Sequence, residues 1–161
     1  MYLTANAALE LRRFTIKWLD PSRANATQKK SIGMLKIEEG DILISRSGTI
    51  GMVTYATKDL ANNYIVSDDL VRIRVKDHDL RAYLSAYFAS KTALSLMLLD
   101  EYGSVQQHLQ PRHIQEMLIP IPDDWSMAQD MIDAGNSFIN AMESMSQADL
   151  RIRDYGSDSL I

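Results

Sequence analysis

Alternating apolar and polar residues predict short β-strands in the first half of the chain. Residues 13–18 alternate in this way, which is typical of a half-buried strand, although the alanine-rich residues 4–11 can equally extend as a helix. Two β-rich runs, residues 42–46 and 50–55, surround a Ser-Gly-Thr turn and predict a hairpin. Residues 70–76 alternate too, and the two-residue period of a strand places their three basic side chains on one face.

A helical pattern follows in the middle of the chain. Apolar residues recur at helical spacing from Leu80 to Leu98, which predicts one helix with Asp77 or Asp79 as its N-cap, ending near residues 102–103. The polar residues 23–30, by contrast, predict a surface loop.

Prolines determine the next prediction. Pro111 suits the first position of a short helix that runs to about residue 117. Each residue before a proline is disfavoured in the helical region, so residues 118–122 are predicted to be extended and to lie at a sheet edge.

The clearest periodicity lies in the last third of the chain. Apolar residues are separated there by alternating steps of four and three, which is the spacing of a coiled-coil seam. The seam consists of Met127, Met131, Ala134, Phe138, Ala141, Met145, Ala148 and Ile152. Such a stripe needs a partner, so we predict a long helix that docks another subunit, with folding back on its own domain as the alternative.

Composition then limits the possible functions. The chain has 161 residues, a formal net charge of -4 and no cysteine, which fits one intracellular domain without disulfides. Residues 1–99 hold 14 of the 17 basic and 10 of the 21 acidic residues, so this part is basic and the remainder is strongly acidic. Phosphate attraction depends on local charge, and the basic part is compatible with a nucleic-acid partner. The apolar runs are too short for a membrane span.

Catalytic and metal-binding patterns are weak. His108 and His113 are five residues apart with Pro111 between them, which does not place them on one helical face for a metal ion. A serine hydrolase using Ser45 or Ser47 is a possible alternative, but no spacing provides a base or an orienting acid. We therefore predict no metal and no catalytic residue.

Three blocks of the sequence stand out together: residues 40–51, residues 67–74 and residues 102–122. In this order and at about this spacing they resemble the target recognition domain of type I restriction-modification specificity subunits, and the long helix follows where that family has its conserved helical region. The resemblance implies an α+β fold, with a mixed β-sheet recognition domain at residues 1–123, a docking helix at 124–153 and a flexible tail at 154–161. The chain differs from the family pattern because it has one recognition domain and one long helix rather than two of each. We therefore expect a half or truncated specificity subunit: a half-subunit that pairs with a copy of itself, a C-terminal piece of a longer gene product, or a degenerate relative.

The resemblance also implies a non-catalytic, cytoplasmic subunit that recognises double-stranded DNA. Its partners would be the methyltransferase (modification) subunit, which alone would bind S-adenosylmethionine, the restriction subunit, and a second copy of the chain in a homodimer. The alternative is a helix-mediated assembly module without DNA binding. The candidate DNA-binding residues are Lys29, Lys30, Arg46, Ser47, Thr49, Gln106, Gln107, His108 and Arg112. The candidate subunit-interface residues are Met127, Met131, Phe138 and Met145.

Overall fold

The computed structural model describes residues 2–3, 22, 25–99 and 108–158. The predictions for residues 4–18, the end of the helix near residues 102–103, and Gln106 and Gln107 lie outside the described residues. Strand β1 (Tyr2–Leu3) pairs in parallel with β4 (Ile65–Val66). The described part of the chain combines these strands with a three-stranded sheet and several helices, so the predicted α+β class is confirmed.

The predicted hairpin is present at the centre of the larger sheet. Strand β2 (Ile42–Ser45) pairs antiparallel with β3 (Val53–Tyr55) on one side and with β5 (Leu70–Ile73) on the other. Gly48 and Gly51 in the connecting bend have φ values of 69° and 77°, a backbone conformation that favours glycine. The sheet order is therefore β3-β2-β5.

Every side chain of β2 is buried, because both faces of this strand are covered. Ile42 and Ile44 face a large cluster built with the following helices. Leu43 faces a second cluster on the opposite side, which includes Leu60 and Leu70. The period of two along a strand thus sends successive residues of β2 into two different cores.

The predicted strand at residues 70–76 is shorter than expected, since β5 ends at Ile73. Leu70 and Val71 are both buried because Leu70 belongs to the second cluster and Val71 to the large one. Because the strand ends at Ile73, Arg74 lies beyond it, and its guanidinium binds Asp41.

Helix α1 (Ala26–Met34) occupies most of the region that the sequence predicted as a loop. That prediction was wrong because Asn25 and Gln28 form a reciprocal capping box: each side chain accepts a hydrogen bond from the backbone N–H of the other, at 2.9 Å. The polar side chains of this helix are exposed, so they gave no periodic apolar signal.

The predicted single helix in the middle of the chain is two helices, α3 (His78–Ala89) and α4 (Lys91–Leu99), preceded by the short α2 (Lys58–Asn63). Asp77 caps α3 as predicted, accepting from the backbone N–H of Leu80. Ser90 causes the break: its backbone is extended, and its hydroxyl oxygen accepts from the N–H of Ala93 at 3.2 Å, which caps α4.

Pro111 begins the predicted short helix, α5 (Pro111–Gln115). The extended residues 118–122 pair with no strand among the described residues, so they do not form the predicted sheet edge. They are held instead by Tyr83, whose hydroxyl donates to the carbonyl oxygen of Pro120.

A 3₁₀ turn (Trp125–Ala128) leads into the long helix α6 (Gln129–Asp158), which confirms the predicted long helix. Residues 154–158 belong to this helix, so it extends further than the predicted boundary at residue 153. The backbone of α6 lies directly on α3, because a Cβ atom at Gly135 would overlap the carbonyl oxygen of Ala82.

Candidate nucleic-acid interface

Three chain segments meet at one end of the larger sheet: the hairpin bend at residues 45–51, the turn at residues 67–69 and the segment at residues 108–110. We call them together the bend cluster. Arg46 joins all three through its backbone, because its N–H donates to the carbonyl oxygen of Asp69 and its own carbonyl oxygen accepts from the N–H of Leu109, both at 2.9 Å. The hairpin bend therefore lies side by side with residues 108–110, which include the predicted DNA-binding residue His108.

The side chain of Arg46 strengthens the same connection. Its Nη1 donates to the carbonyl oxygen of Asp68 at 3.2 Å, and its Nη2 lies 3.4 Å from Oε1 of Gln110. Arg46 is half-buried as a result. Sequence reasoning missed Gln110, although its place directly before Pro111 is the N-cap position of a helix.

Ser47 and Ser45 also bond within the cluster. The hydroxyl of Ser47 donates to Oδ1 of Asp69 at 2.7 Å, so this predicted DNA-contacting side chain has an intramolecular partner. Ser45 is fully buried; its hydroxyl donates to the carbonyl oxygen of Thr49 and accepts from the N–H of Met52. The Ser45 hydroxyl thus closes the bend, which argues against a nucleophilic role for it.

Other predicted DNA-binding residues point to solvent. Thr49 and His108 are exposed in the bend cluster, and Arg112 is exposed on α5 next to it. Lys29 and Lys30 are exposed on α1. Met34 and Leu35 at the end of α1 line a cavity of about 240 Å³ together with Ser67 and Pro111, which places this end of the helix beside the bend cluster.

The basic side chains of the 70–76 segment are largely engaged elsewhere. Arg74 forms hydrogen bonds of 2.8 Å from Nε and Nη2 to the buried carboxylate of Asp41, and it also pairs with Glu38. The hydrogen bond to Asp41 raises the pKa of Arg74 above its ordinary value. Arg72 donates to the carbonyl oxygens of Met34 and Lys36. These two arginines consequently fasten neighbouring segments to the sheet.

The predicted seam on α6 is distinct from the face that packs on the domain. The buried positions of the long helix and its preceding turn lie one residue further along the chain than the seam, at Ala128, Ile132, Gly135 and Ser146. Since successive helix residues differ by about 100° in direction, the two stripes are neighbours around the helix. The helix therefore folds back on its own domain and still leaves most of the predicted seam uncovered.

Exposure varies along the seam. Met127 is 83 % exposed, Met145 48 % and Ile152 68 %, and the three seam alanines are exposed as well. Met131 and Phe138 are half-buried. We call the exposed residues the outer stripe; they are Met127, Ala134, Ala141, Met145, Ala148 and Ile152.

Polar contacts fasten the inner face of α6 to the domain beyond the apolar core. The hydroxyls of Ser146 and Thr57 lie 3.0 Å apart and are buried. Near the end of the helix, Arg153 pairs with the carboxylate of Asp59 at 3.1 Å and donates to the hydroxyl of Tyr64 at 2.8 Å. Only 6 % of the Asp59 side chain is exposed, so the carboxylate of this ion pair is buried.

No group of histidine and acidic side chains within the described ranges could hold a metal ion. His113, for example, accepts a hydrogen bond from the N–H of Gln110 at its Nδ1 atom, which stabilises the start of α5. Among the helices described, none combines the length and the apolar character that crossing a membrane requires.

The sequence matches one protein family over most of its length. The family described as type I restriction modification DNA specificity domain matches residues 7–148. No curated protein matches the sequence.

Proposed function

The chain belongs to the type I restriction-modification DNA specificity family, and from this premise we propose that it selects a DNA sequence for a methyltransferase through the bend cluster and its basic surroundings. Proteins of this family are in general non-catalytic and recognise DNA sequence. We infer the same here: the chain recognises double-stranded DNA in the cytoplasm, needs no cofactor of its own, and leaves S-adenosylmethionine to the methyltransferase subunit.

The observation that supports the proposal is the junction at Arg46 between the hairpin bend, the turn at residues 67–69 and residues 108–110. Hydrogen bonds from its backbone and side chain hold the hairpin bend against residues 109–110, while Thr49 and His108 remain exposed on the same cluster. Sequence specificity requires side chains held at fixed positions against base edges, and bonded neighbouring loops provide such positions. Arg46 would mainly shape this surface, and Thr49, His108 and Arg112 would contact the duplex.

The experiment is selection from a random duplex pool with the full chain and the methyltransferase subunit present, followed by sequencing. We expect an enriched motif, and an affinity that falls steeply between low and physiological salt because phosphate contacts release counterions. The variant Thr49→Ala with His108→Ala should relax the motif without lowering the melting temperature. A pool without enrichment, bound with an affinity indifferent to salt, would contradict DNA recognition.

Subunit docking is the second part of the proposal. The outer stripe presents apolar residues along α6, and methionines give such surfaces a shape that adapts to a partner helix. We infer that this stripe contacts the methyltransferase subunit or a second copy of the chain. The restriction subunit would join through the assembled complex. If DNA binding is absent and this association is present, the chain is the assembly module that the sequence left as the alternative.

Two charge-matched variants test the docking surface. Met145→Asp with Ile152→Asp places two carboxylates on the outer stripe, and Asn140→Asp with Gln147→Asp places two on exposed positions beside it. We expect the first pair to weaken binding to the methyltransferase subunit, or self-association, by about tenfold or more, and the second to have little effect. Co-purification and sedimentation velocity measure both. Equal binding by the two variants would exclude the outer stripe.

A further inference from the structure

Helix α1 is unusual because none of its nine residues is buried. A helix in a folded domain normally covers an apolar face against the core. Isolated helices shorter than about 12 residues are marginally stable in water. The capping box at Asn25 and Gln28 therefore supplies part of the stability that other helices gain from packing against the core. A short helix that is kept outside the core in this way is available to a partner.

The domain holds α1 only near its C-terminal end, as far as the described contacts show. Nη1 of Arg72 donates to the carbonyl oxygen of Met34 at 3.2 Å and to that of Lys36. The N–H of Val66 donates to the carbonyl oxygen of Leu35 at 3.1 Å. Carbonyl groups at a helix end lack intrahelical partners, and Arg72 satisfies one of them. Within the described part of the chain, no hydrogen bond joins the earlier turns of α1 to the sheet or to another helix.

The charge of the helix indicates which partner it fits. Residues 25–37 contain Lys29, Lys30 and Lys36, all exposed, and no acidic residue, although the whole chain is acidic. The exposed Thr27 is near Lys29 and Lys30 in the sequence, and threonine hydroxyls are among the groups that bind phosphate oxygens. The attached C-terminal end of α1 shares a cavity with Ser67 and Pro111, so this end of the helix lies beside the bend cluster.

We propose that α1 is a DNA-docking helix that lies along the duplex next to the bend cluster, with Lys29 and Lys30 on phosphates and Arg72 as the residue that positions it. This inference rests on the proposed function and adds to it a second DNA-contacting element, helix α1. Because so little of α1 is packed in the free protein, binding to the duplex orders it further.

The test measures the salt dependence of affinity for a duplex of about 30 base pairs by fluorescence anisotropy, using the full chain. Each phosphate contact contributes about 0.9 to the slope of log affinity against log salt. The variant Lys29→Ala with Lys30→Ala should therefore lower that slope by about two. The matched control is Lys58→Ala with Lys76→Ala, because both lysines are exposed and lie near the end of the sheet opposite to the bend cluster.

Arg72→Leu tests the positioning role. We expect faster hydrogen exchange of the amides at residues 26–34 in the free variant and weaker DNA binding. In the background that lacks Lys29 and Lys30, the same substitution should weaken binding no further, because the phosphate contacts that depend on the position of α1 are already absent. Equal weakening in both backgrounds would overturn the positioning role of Arg72.

The outcomes separate this inference from the proposed function. If the unsubstituted chain binds no duplex, the proposed function fails. If it binds duplex and the Lys29 and Lys30 variant keeps the full salt slope, only the inference about α1 fails. DNA-dependent protection of residues 26–34 from hydrogen exchange would support it, and unchanged exchange with DNA bound would overturn it.

Discussion

Helices α6 and α1 differ in how the rest of the domain holds them. The long helix lies against α3 so closely that Gly135 has no space for a side chain. It is also attached to α2, because Ser146 contacts Thr57, which caps α2, and Arg153 pairs with Asp59 within α2. The short helix buries no residue and is attached near one end through Arg72. The first helix is part of the scaffold, and the second is stabilised by its own caps.

This difference separates two ways of offering a surface to a partner. The inner face of α6 is fixed by packing, so the outer stripe is held rigidly and docking there costs little conformational entropy. A surface on α1 is less constrained, and a partner must order it during binding. Rigid presentation suits a permanent subunit contact, whereas a loosely held basic helix suits a polyanion that is bound and released.

The largest expected effect is on the free energy of unfolding, which should fall when a methyl group is added to α6 but not when one is added to α1. Gly135→Ala should destabilise the domain by about 3 kcal/mol, because the new Cβ meets backbone that cannot rotate away. At Gly33 in α1 a Cβ meets nothing within 4 Å, so Gly33→Ala should be neutral or stabilise the helix by up to about 1 kcal/mol. Urea denaturation measures both. Similar free energies of unfolding for the two variants would show that the domain holds α6 no more tightly than α1.

A smaller effect is expected where α6 meets α2. Arg153→Met should cost about 2 kcal/mol, because it removes the cation that pairs with the buried carboxylate of Asp59 and with Asp149. Arg151→Met, two residues earlier on an exposed position, should change stability by less than about 0.5 kcal/mol. Chemical denaturation of the pair tests this contact. An equal loss in both variants would show that the ion pair adds nothing specific.

The smallest effect concerns the charge of Glu143 on α6. Burial raises the pKa of this carboxyl above its ordinary value of 4.5, and the charge of Glu39 raises it further. Ionisation of Glu143 is therefore harder in the folded protein than in the unfolded chain, so its contribution to stability is lost as the pH rises above about 4.5. Glu143→Gln should raise the melting temperature by about 2 °C at pH 7 and leave it unchanged near pH 4.

Thermal melts at the two pH values, with the exposed Glu116→Gln as control, check the Glu143 prediction. The Glu116 variant should melt like the unsubstituted protein at both pH values. A gain for Glu143→Gln that is the same at pH 4 and pH 7 would mean that packing, and not ionisation, is responsible.

Local sequence signals were enough for several elements. The Ser-Gly-Thr turn and its β-rich flanks predicted the hairpin, and Pro111 predicted the start of α5. The helix break at Ser90 was missed, because apolar spacing continues across it and only the local cap reveals it. The loop prediction for residues 23–30 failed for the opposite reason: α1 has a cap but no apolar stripe.

Sequence by itself determined that the chain contains a long helix after the two prolines, because apolar residues at alternating steps of four and three line up on one side only in a helix. Tertiary structure decided which side of that helix is covered. The covered stripe contains Gly135, Ser146 and Arg153, which carry no hydrophobic signal and fit only because Ala82, Thr57 and Asp59 oppose them. Periodicity depends on neighbouring residues, whereas the fit of a small or polar side chain depends on atoms contributed by distant segments.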